Sequence, residues 1–122
     1  MGKTYRLDPV EGQERHGAWL YCLIGASPCW VQAETASEAI AALDRHKQDW
    51  DLAIVDLFLK EGSGLGVLRA AQDRSPHQHM LVLTNYPTAE IRRRCRELGA
   101  DGVFDKSTEL EAFFDLCRSY GV

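Results

Sequence analysis

Asp51-Leu52-Ala53-Ile54-Val55-Asp56-Leu57 is a nearly unbroken apolar run that closes on one carboxylate, Asp56, with a further apolar residue behind it. A half-exposed strand alternates polar and apolar residues, and this run does not. It reads as a strand covered on both faces, the centre of a parallel sheet. Asp56 then stands where that strand leaves the core. The crevice beyond the carboxyl ends of parallel strands is where open α/β sheets bind ligands.

The composition is compatible with that reading. The chain has 122 residues, 45% hydrophobic and 26% charged, with a net charge of −4. This suits one domain over residues 1–122 with a core that needs no metal or disulfide staple. The negative balance argues against direct nucleic-acid binding. No apolar stretch has the length of a membrane span, and the N-terminus lacks a signal-peptide core, so a cytoplasmic location is expected. Cys22, Cys29, Cys95 and Cys117 form no C-x-x-C pair, so neither a zinc ribbon nor a dithiol redox site is indicated.

Outward from the central run, strands and helices alternate. Lys3 to Leu7 is a weak strand ending at Asp8, closed by Pro9. A helix is expected over about Gln13 to Ile24, a turn over Gly25 to Pro28, and a short strand over Cys29 to Ala33. Thr35 and Glu38 have capping-box spacing before a helix carrying Ala36, Ala39, Ile40 and Leu43 on one face. The central strand follows, then the loop Lys60 to Gly64 and a helix marked by Leu65, Leu68 and Ala71. Met80 to Thr84 is a second buried strand. Pro87 and Thr88 open a helix with Ile91, Cys95 and Leu98 inward, Gly99 as its cap, and Arg92, Arg93, Arg94 and Arg96 on the wet face. Gly102 to Phe104 is a fifth strand. Thr108 and Glu111 have capping-box spacing before a fifth helix with Leu110, Phe113, Phe114 and Cys117 inward. Five strand–helix pairs imply a parallel sheet with right-handed crossovers and helices on both faces.

In such a sheet every carboxyl end lies on one edge. Asp8, Asp56, Thr84 and Lys106 each fall at or just after the end of a different strand. One edge would gather two carboxylates, a hydroxyl and an ammonium.

This pattern resembles the receiver domain of bacterial response regulators along essentially the whole chain. The resemblance rests on the run ending in Asp56 with Gly64-Leu65 beyond it, on Leu81-Val82-Leu83-Thr84, on Leu98-Gly99-Ala100-Asp101-Gly102 leading to Lys106, and on their order. It implies an α/β, flavodoxin-like (βα)5 three-layer sandwich with parallel strand order 2-1-3-4-5. It implies that Asp56 accepts a phosphoryl group from a sensor histidine kinase or phosphotransfer protein, with Thr84 and Lys106 completing the catalytic set. Mg²⁺ would be held by Asp8, Asp56 and the Phe58 carbonyl. The domain would signal rather than turn over a separate substrate. Its output would go to a protein target or a further domain through the face built from the fourth helix, fifth strand and fifth helix, where a homodimer could also form.

The sequence departs from the family at definite places. Asp8 is followed by Pro9 and Val10 rather than a second acid, leaving Glu11 or Glu14 as substitutes. Lys60 and Ser107 occupy positions that usually hold proline. Val103 stands where an aromatic switch residue is usual, with Phe104 next to it. These departures sustain a second reading, a pseudo-receiver that binds partners without phosphate. Gly62-Ser63-Gly64-Leu65-Gly66 is not a dinucleotide fingerprint, because the spacing is wrong and no acidic ribose ligand follows. An aspartyl phosphatase would want an acid where Phe58 stands. The chain stops at Val122 just after the fifth helix, so it is expected to work through partners or to be part of a longer regulator.

Overall fold

The computed structural model describes residues 18–24, 27–47 and 49–120. Five strands form one sheet in the order β2-β1-β3-β4-β5: β1 (Ala18–Ile24), β2 (Ser27–Ala33), β3 (Trp50–Asp56), β4 (His79–Thr84) and β5 (Gly102–Asp105). Among the described residues four helices accompany them: α1 (Ala36–His46), α2 (Gly64–Ala70), α3 (Ala89–Glu97) and α4 (Leu110–Ser119). The class is α/β, as expected, and β3, β4 and β5 run parallel.

The amino-terminal part differs from the expectation. Residues 18–24, assigned from sequence to a helix, are strand β1, which pairs antiparallel with both β2 and β3. The sheet is therefore mixed, and β1 runs into β2 without an intervening helix. The physical reason lies in Ala18-Trp19-Leu20-Tyr21-Cys22-Leu23-Ile24. A short run that is apolar throughout has no period to separate strand from helix, and its aromatic and branched residues favour the pleated state. Ile24 pairs with Ser27 with two residues between them, which is the spacing of a tight hairpin. β2 accordingly starts at Ser27 and includes Pro28, tolerated because β2 is an edge strand. The expected strand over Lys3 to Leu7, with Asp8, lies outside the described residues.

β3 is covered on both faces, as its sequence requires. Ala53 and Val55 join one apolar cluster with Ala39, Leu43, Val67, Leu68 and Cys95, beneath α1, α2 and α3. Leu52 and Ile54 join the other with Leu81, Leu83, Phe113 and Cys117, beneath α4. Successive residues of a strand point to opposite faces, so one seven-residue strand feeds both layers. Cys95 and Cys117 are fully buried, and burial pushes the Cys117 thiol up to about 12. No helix among the described residues is long and apolar enough to cross a membrane.

The helix starts follow their caps. Thr35 Oγ1 accepts the Glu38 N–H at 3.1 Å, and Thr88 Oγ1 accepts the Ile91 N–H at 3.2 Å. Gly99 takes φ +98° just past α3, the left-handed position that favours glycine. The capping box expected at Thr108 and Glu111 does not form. The N-cap of α4 is Glu109, whose side chain makes no cap bond but turns back toward β5.

Candidate functional site

Asp56 ends β3 with only 1% of its surface exposed. Its Oδ2 accepts from Lys106 Nζ at 2.5 Å, and its Oδ1 accepts the Phe58 N–H at 2.9 Å. A buried carboxylate without a cation is costly, so the Lys106 ammonium is part of what lets Asp56 sit there. Lys106 follows β5 directly. Its own N–H donates to the Thr84 carbonyl at 2.9 Å, which ties the lysine's turn to the end of the neighbouring strand.

Thr84 is the last residue of β4 and is fully buried. β4 lies between β3 and β5, with Leu83 opposite Asp56 and Thr84 opposite Asp105. The hydroxyl thus belongs to the same sheet edge as the Asp56–Lys106 pair. Its Oγ1 accepts the Tyr86 N–H at 3.2 Å. Three of the residues picked out by sequence are therefore brought together. Asp8 lies outside the described residues. The strand expected to end at Asp8 is likewise outside the described residues. Ala18 pairs with Val55, so β1 starts beside the carboxyl end of β3 and runs away from it.

The loop after Asp56 is pinned in place. A Cβ on Gly64 would stand 2.5 Å from the Asp56 carbonyl oxygen and 2.8 Å from Leu57 Cα, so only glycine lets α2 start this close to β3. The Ala36 N–H donates to the Glu61 carbonyl at 2.9 Å, and the Lys60 N–H donates to the Glu34 carbonyl at 2.9 Å. Ser107 donates its N–H to Asp105 Oδ1 at 2.7 Å. Lys60 and Ser107 are the two positions where the family usually has proline. Each spends an N–H that proline lacks, so hydrogen bonds hold these turns where a ring would have restricted them. At the rim, Phe58 and Tyr86 are 52% and 67% exposed and meet edge to face at 6.0 Å.

A second cluster joins α3 to this edge from behind. Arg92 Nε donates to the Pro87 carbonyl at 3.1 Å, Nη1 to the Val103 carbonyl at 2.9 Å, and Nη2 to Glu109 Oε1 at 3.0 Å. The Asp105 N–H donates to the same Glu109 oxygen at 2.8 Å. That bond, then Arg92, holds the Glu109 carboxyl below its ordinary range. Arg92 is thus no part of a solvated arginine face, as sequence suggested. Arg93 pairs along the helix with Glu90 and Glu97, while Arg94 and Arg96 are exposed. Sequence reasoning missed both Arg92 and Glu109. The available signal was an arginine eleven residues before Val103 of β5, which is weak until the fold is known.

The donors suited to a cation at this edge are hard oxygens, the Asp56 carboxylate and the Phe58 backbone carbonyl. That chemistry fits Mg²⁺ or Ca²⁺ rather than a softer metal. The described residues supply only part of such a ligand set.

Known proteins resemble this chain in sequence and in fold. The response regulator receiver domain family matches residues 25–118. A cyclic di-GMP phosphodiesterase of Thermotoga maritima is 31% identical over 81 residues, covering 66% of this chain but only 21% of that protein. The chain thus spans about a fifth of that relative. Among solved structures, a Burkholderia pseudomallei response regulator with a phosphorylated aspartic acid, calcium ion and citrate superposes with a TM-score of 0.59 at 27% identity. The match covers 69% of this chain and 48% of that one. The signal receiver domain of the putative response regulator NarL from Mycobacterium tuberculosis gives 0.54 at 18% identity, covering 69% of each, and shares the fold. With more than half its length matched and the buried Asp56–Lys106 pair at the expected sheet edge, this chain belongs to the response regulator receiver domain family.

Proposed function

We propose that the chain is a phosphorylation-driven signalling domain in which Asp56 is the phosphoacceptor. The observation that carries this is the 2.5 Å contact between Lys106 Nζ and a carboxylate with 1% exposure. A buried aspartate held by one lysine, at the carboxyl end of a central strand, is placed for nucleophilic attack. One Asp56 oxygen bonds to phosphorus as the phosphorus–nitrogen bond of a donor phosphohistidine breaks, and the electron pair stays with the imidazole. Lys106 carries its charge on a flexible stem, so it can pass from the carboxylate to a phosphoryl oxygen. The Thr84 hydroxyl, now accepting from Tyr86, can rotate to donate to another. Asp56 and the Phe58 carbonyl would hold Mg²⁺, with Asp8 as the further carboxylate. When bound, the ion supplies charge neutralisation for the incoming dianion.

The donors are a sensor histidine kinase or a phosphotransfer protein in the cytoplasm. The output is a protein target, a further domain or a second copy, read through α3, β5 and α4. The domain turns over no substrate of its own. The test is incubation with Mg²⁺ and acetyl phosphate, followed by intact mass. A phosphoryl-sized gain that vanishes in Asp56→Asn is the expected result. No gain with acetyl phosphate or with any of several kinases would favour the phosphate-independent binding module. Asp8→Asn, compared with Glu11→Gln and Glu14→Gln, identifies the second carboxylate by the metal concentration each variant needs.

A further inference from the structure

The two residues that would register a phosphoryl group, Thr84 and Lys106, sit at the mouths of two loops. The first runs from Thr84 to the N-cap of α3 at Thr88, the second from Lys106 to the N-cap of α4 at Glu109. One guanidinium touches both. Arg92 reaches the Pro87 carbonyl in the first loop and Glu109 at the end of the second, and between them it donates to the Val103 carbonyl in β5. Glu109 in turn accepts the N–H of Asp105, the residue immediately before Lys106.

No ring stands at position 103 to do this work. Val103 is a small buried residue, and Phe104 is packed edge to face on Phe113 at 5.6 Å in the layer beneath α4. A Cβ on Gly102 would come within 2.9 Å of the Phe104 ring, so that ring lies against its own strand as well. Val103 thus carries no ring to move, and the half-buried Phe104 ring is engaged with Phe113. Arginine suits the alternative because its planar fork donates in several fixed directions at once, which a lysine at the same place could not reproduce.

We propose that Arg92 is the positioning residue that couples the occupancy of Asp56 to the placement of α3 and α4. This rests on the phosphoacceptor reading above. If the Thr84 side chain swings toward a phosphoryl group so that Oγ1 itself moves, the Tyr86 N–H loses its acceptor and the 84–88 loop shifts. The Pro87 carbonyl moves with it, and Arg92 passes the displacement to β5 and to the cap of α4. The link is a chain of contiguous bonds between two loops, each of which has a second arrangement to adopt.

The test compares hydrogen exchange with and without Mg²⁺ and beryllofluoride, a phosphoryl mimic, in the wild-type chain, Arg92→Lys and Glu109→Gln. In the wild type, exchange is expected to change in the 84–88 loop and in both α3 and α4. In Arg92→Lys the loop response and the phosphoryl gain at Asp56 persist, while the α3 and α4 response falls at least about five-fold. Glu109→Gln keeps the shape and removes the charge, and is expected to lose the α4 response first. An undiminished helix response in both variants overturns the proposal. So does loss of phosphoryl uptake in Arg92→Lys, which would place Arg92 in the reaction itself. A silent wild type would instead overturn the phosphoacceptor reading, and this inference with it.

Discussion

The two edges of the parallel strands each hold a carboxylate paired with a cation, and they differ in the cation. At the carboxyl edge the partner of Asp56 is Lys106, a point charge on a flexible stem. At the amino edge Asp101 Oδ2 accepts from Arg74 Nη2 at 2.9 Å and from the Met80 N–H at 2.8 Å. Arg74 also donates to the carbonyls of Ala71, Gln78 and Gly99. Gln78, 3% exposed, accepts the Ser75 N–H and donates to the carbonyls of Lys47 and Trp50. That edge is a lattice of fixed forks and amides that staples the starts of β3, β4 and β5. The opposite edge uses a cation that can change its partner. The same pairing of charges serves architecture in one place and, in the proposed function, reactivity in the other, and the choice of arginine or lysine marks which is which.

Removing Lys106 is the most severe way to probe that contrast. Lys106→Ala leaves the Asp56 carboxylate buried and uncompensated, and is expected to cost about 3 kcal/mol or more. Adding Asp56→Asn removes the buried charge and should recover much of that loss, so a urea-unfolding cycle over the four proteins should be strongly non-additive. Additive losses would mean the pair is not coupled. At the other edge, Gln78→Leu strands the Ser75 N–H and two carbonyls, and is expected to cost about 2–3 kcal/mol while phosphoryl uptake by the folded fraction stays near wild type. Gly64→Ala pushes a methyl into the backbone of Asp56 and Leu57. It should destabilise by about 2 kcal/mol and, unlike Gln78→Leu, slow phosphorylation as well.

Lys60→Pro restores the residue type usual in the family but removes the N–H that binds Glu34, so it is expected to destabilise by about 1 kcal/mol rather than stabilise. The smallest effect is on acid stability. Glu109 has a lowered folded pKa, so its contribution is complete above the ordinary carboxylate value of 4.5 and is lost as pH falls through the folded value. Denaturant midpoints measured down this range should fall less steeply in Glu109→Gln than in the wild type.

What could be read from the chain followed from how local its cause was. Leu52 to Val55 is apolar at every position because both faces are covered, and that alone located Asp56 at a strand end. Thr84 and Lys106 followed from counting strands, since register in the parallel part places them on the same edge. The reading failed where the cause was long-range. Trp19 to Ile24 carries no period, and its pairing with β2 and β3 decided its state. Nothing local marked Gln78, whose carbonyl partners lie 28 and 31 residues away. The cap that local spacing favoured at Thr108 and Glu111 gave way to Glu109, whose carboxylate is taken up by Arg92 and the Asp105 N–H.

Borohydride trapping tests the central claim most directly. An acyl phosphate on an aspartate is reduced to homoserine, which marks the modified position permanently. The chain is treated with Mg²⁺ and acetyl phosphate or a phosphorylated kinase, reduced, digested and mapped by tandem mass spectrometry. The expected result is homoserine at position 56 and at no other aspartate, absent when the donor is omitted. Homoserine elsewhere, or none under conditions that label a known receiver in the same tube, would contradict it.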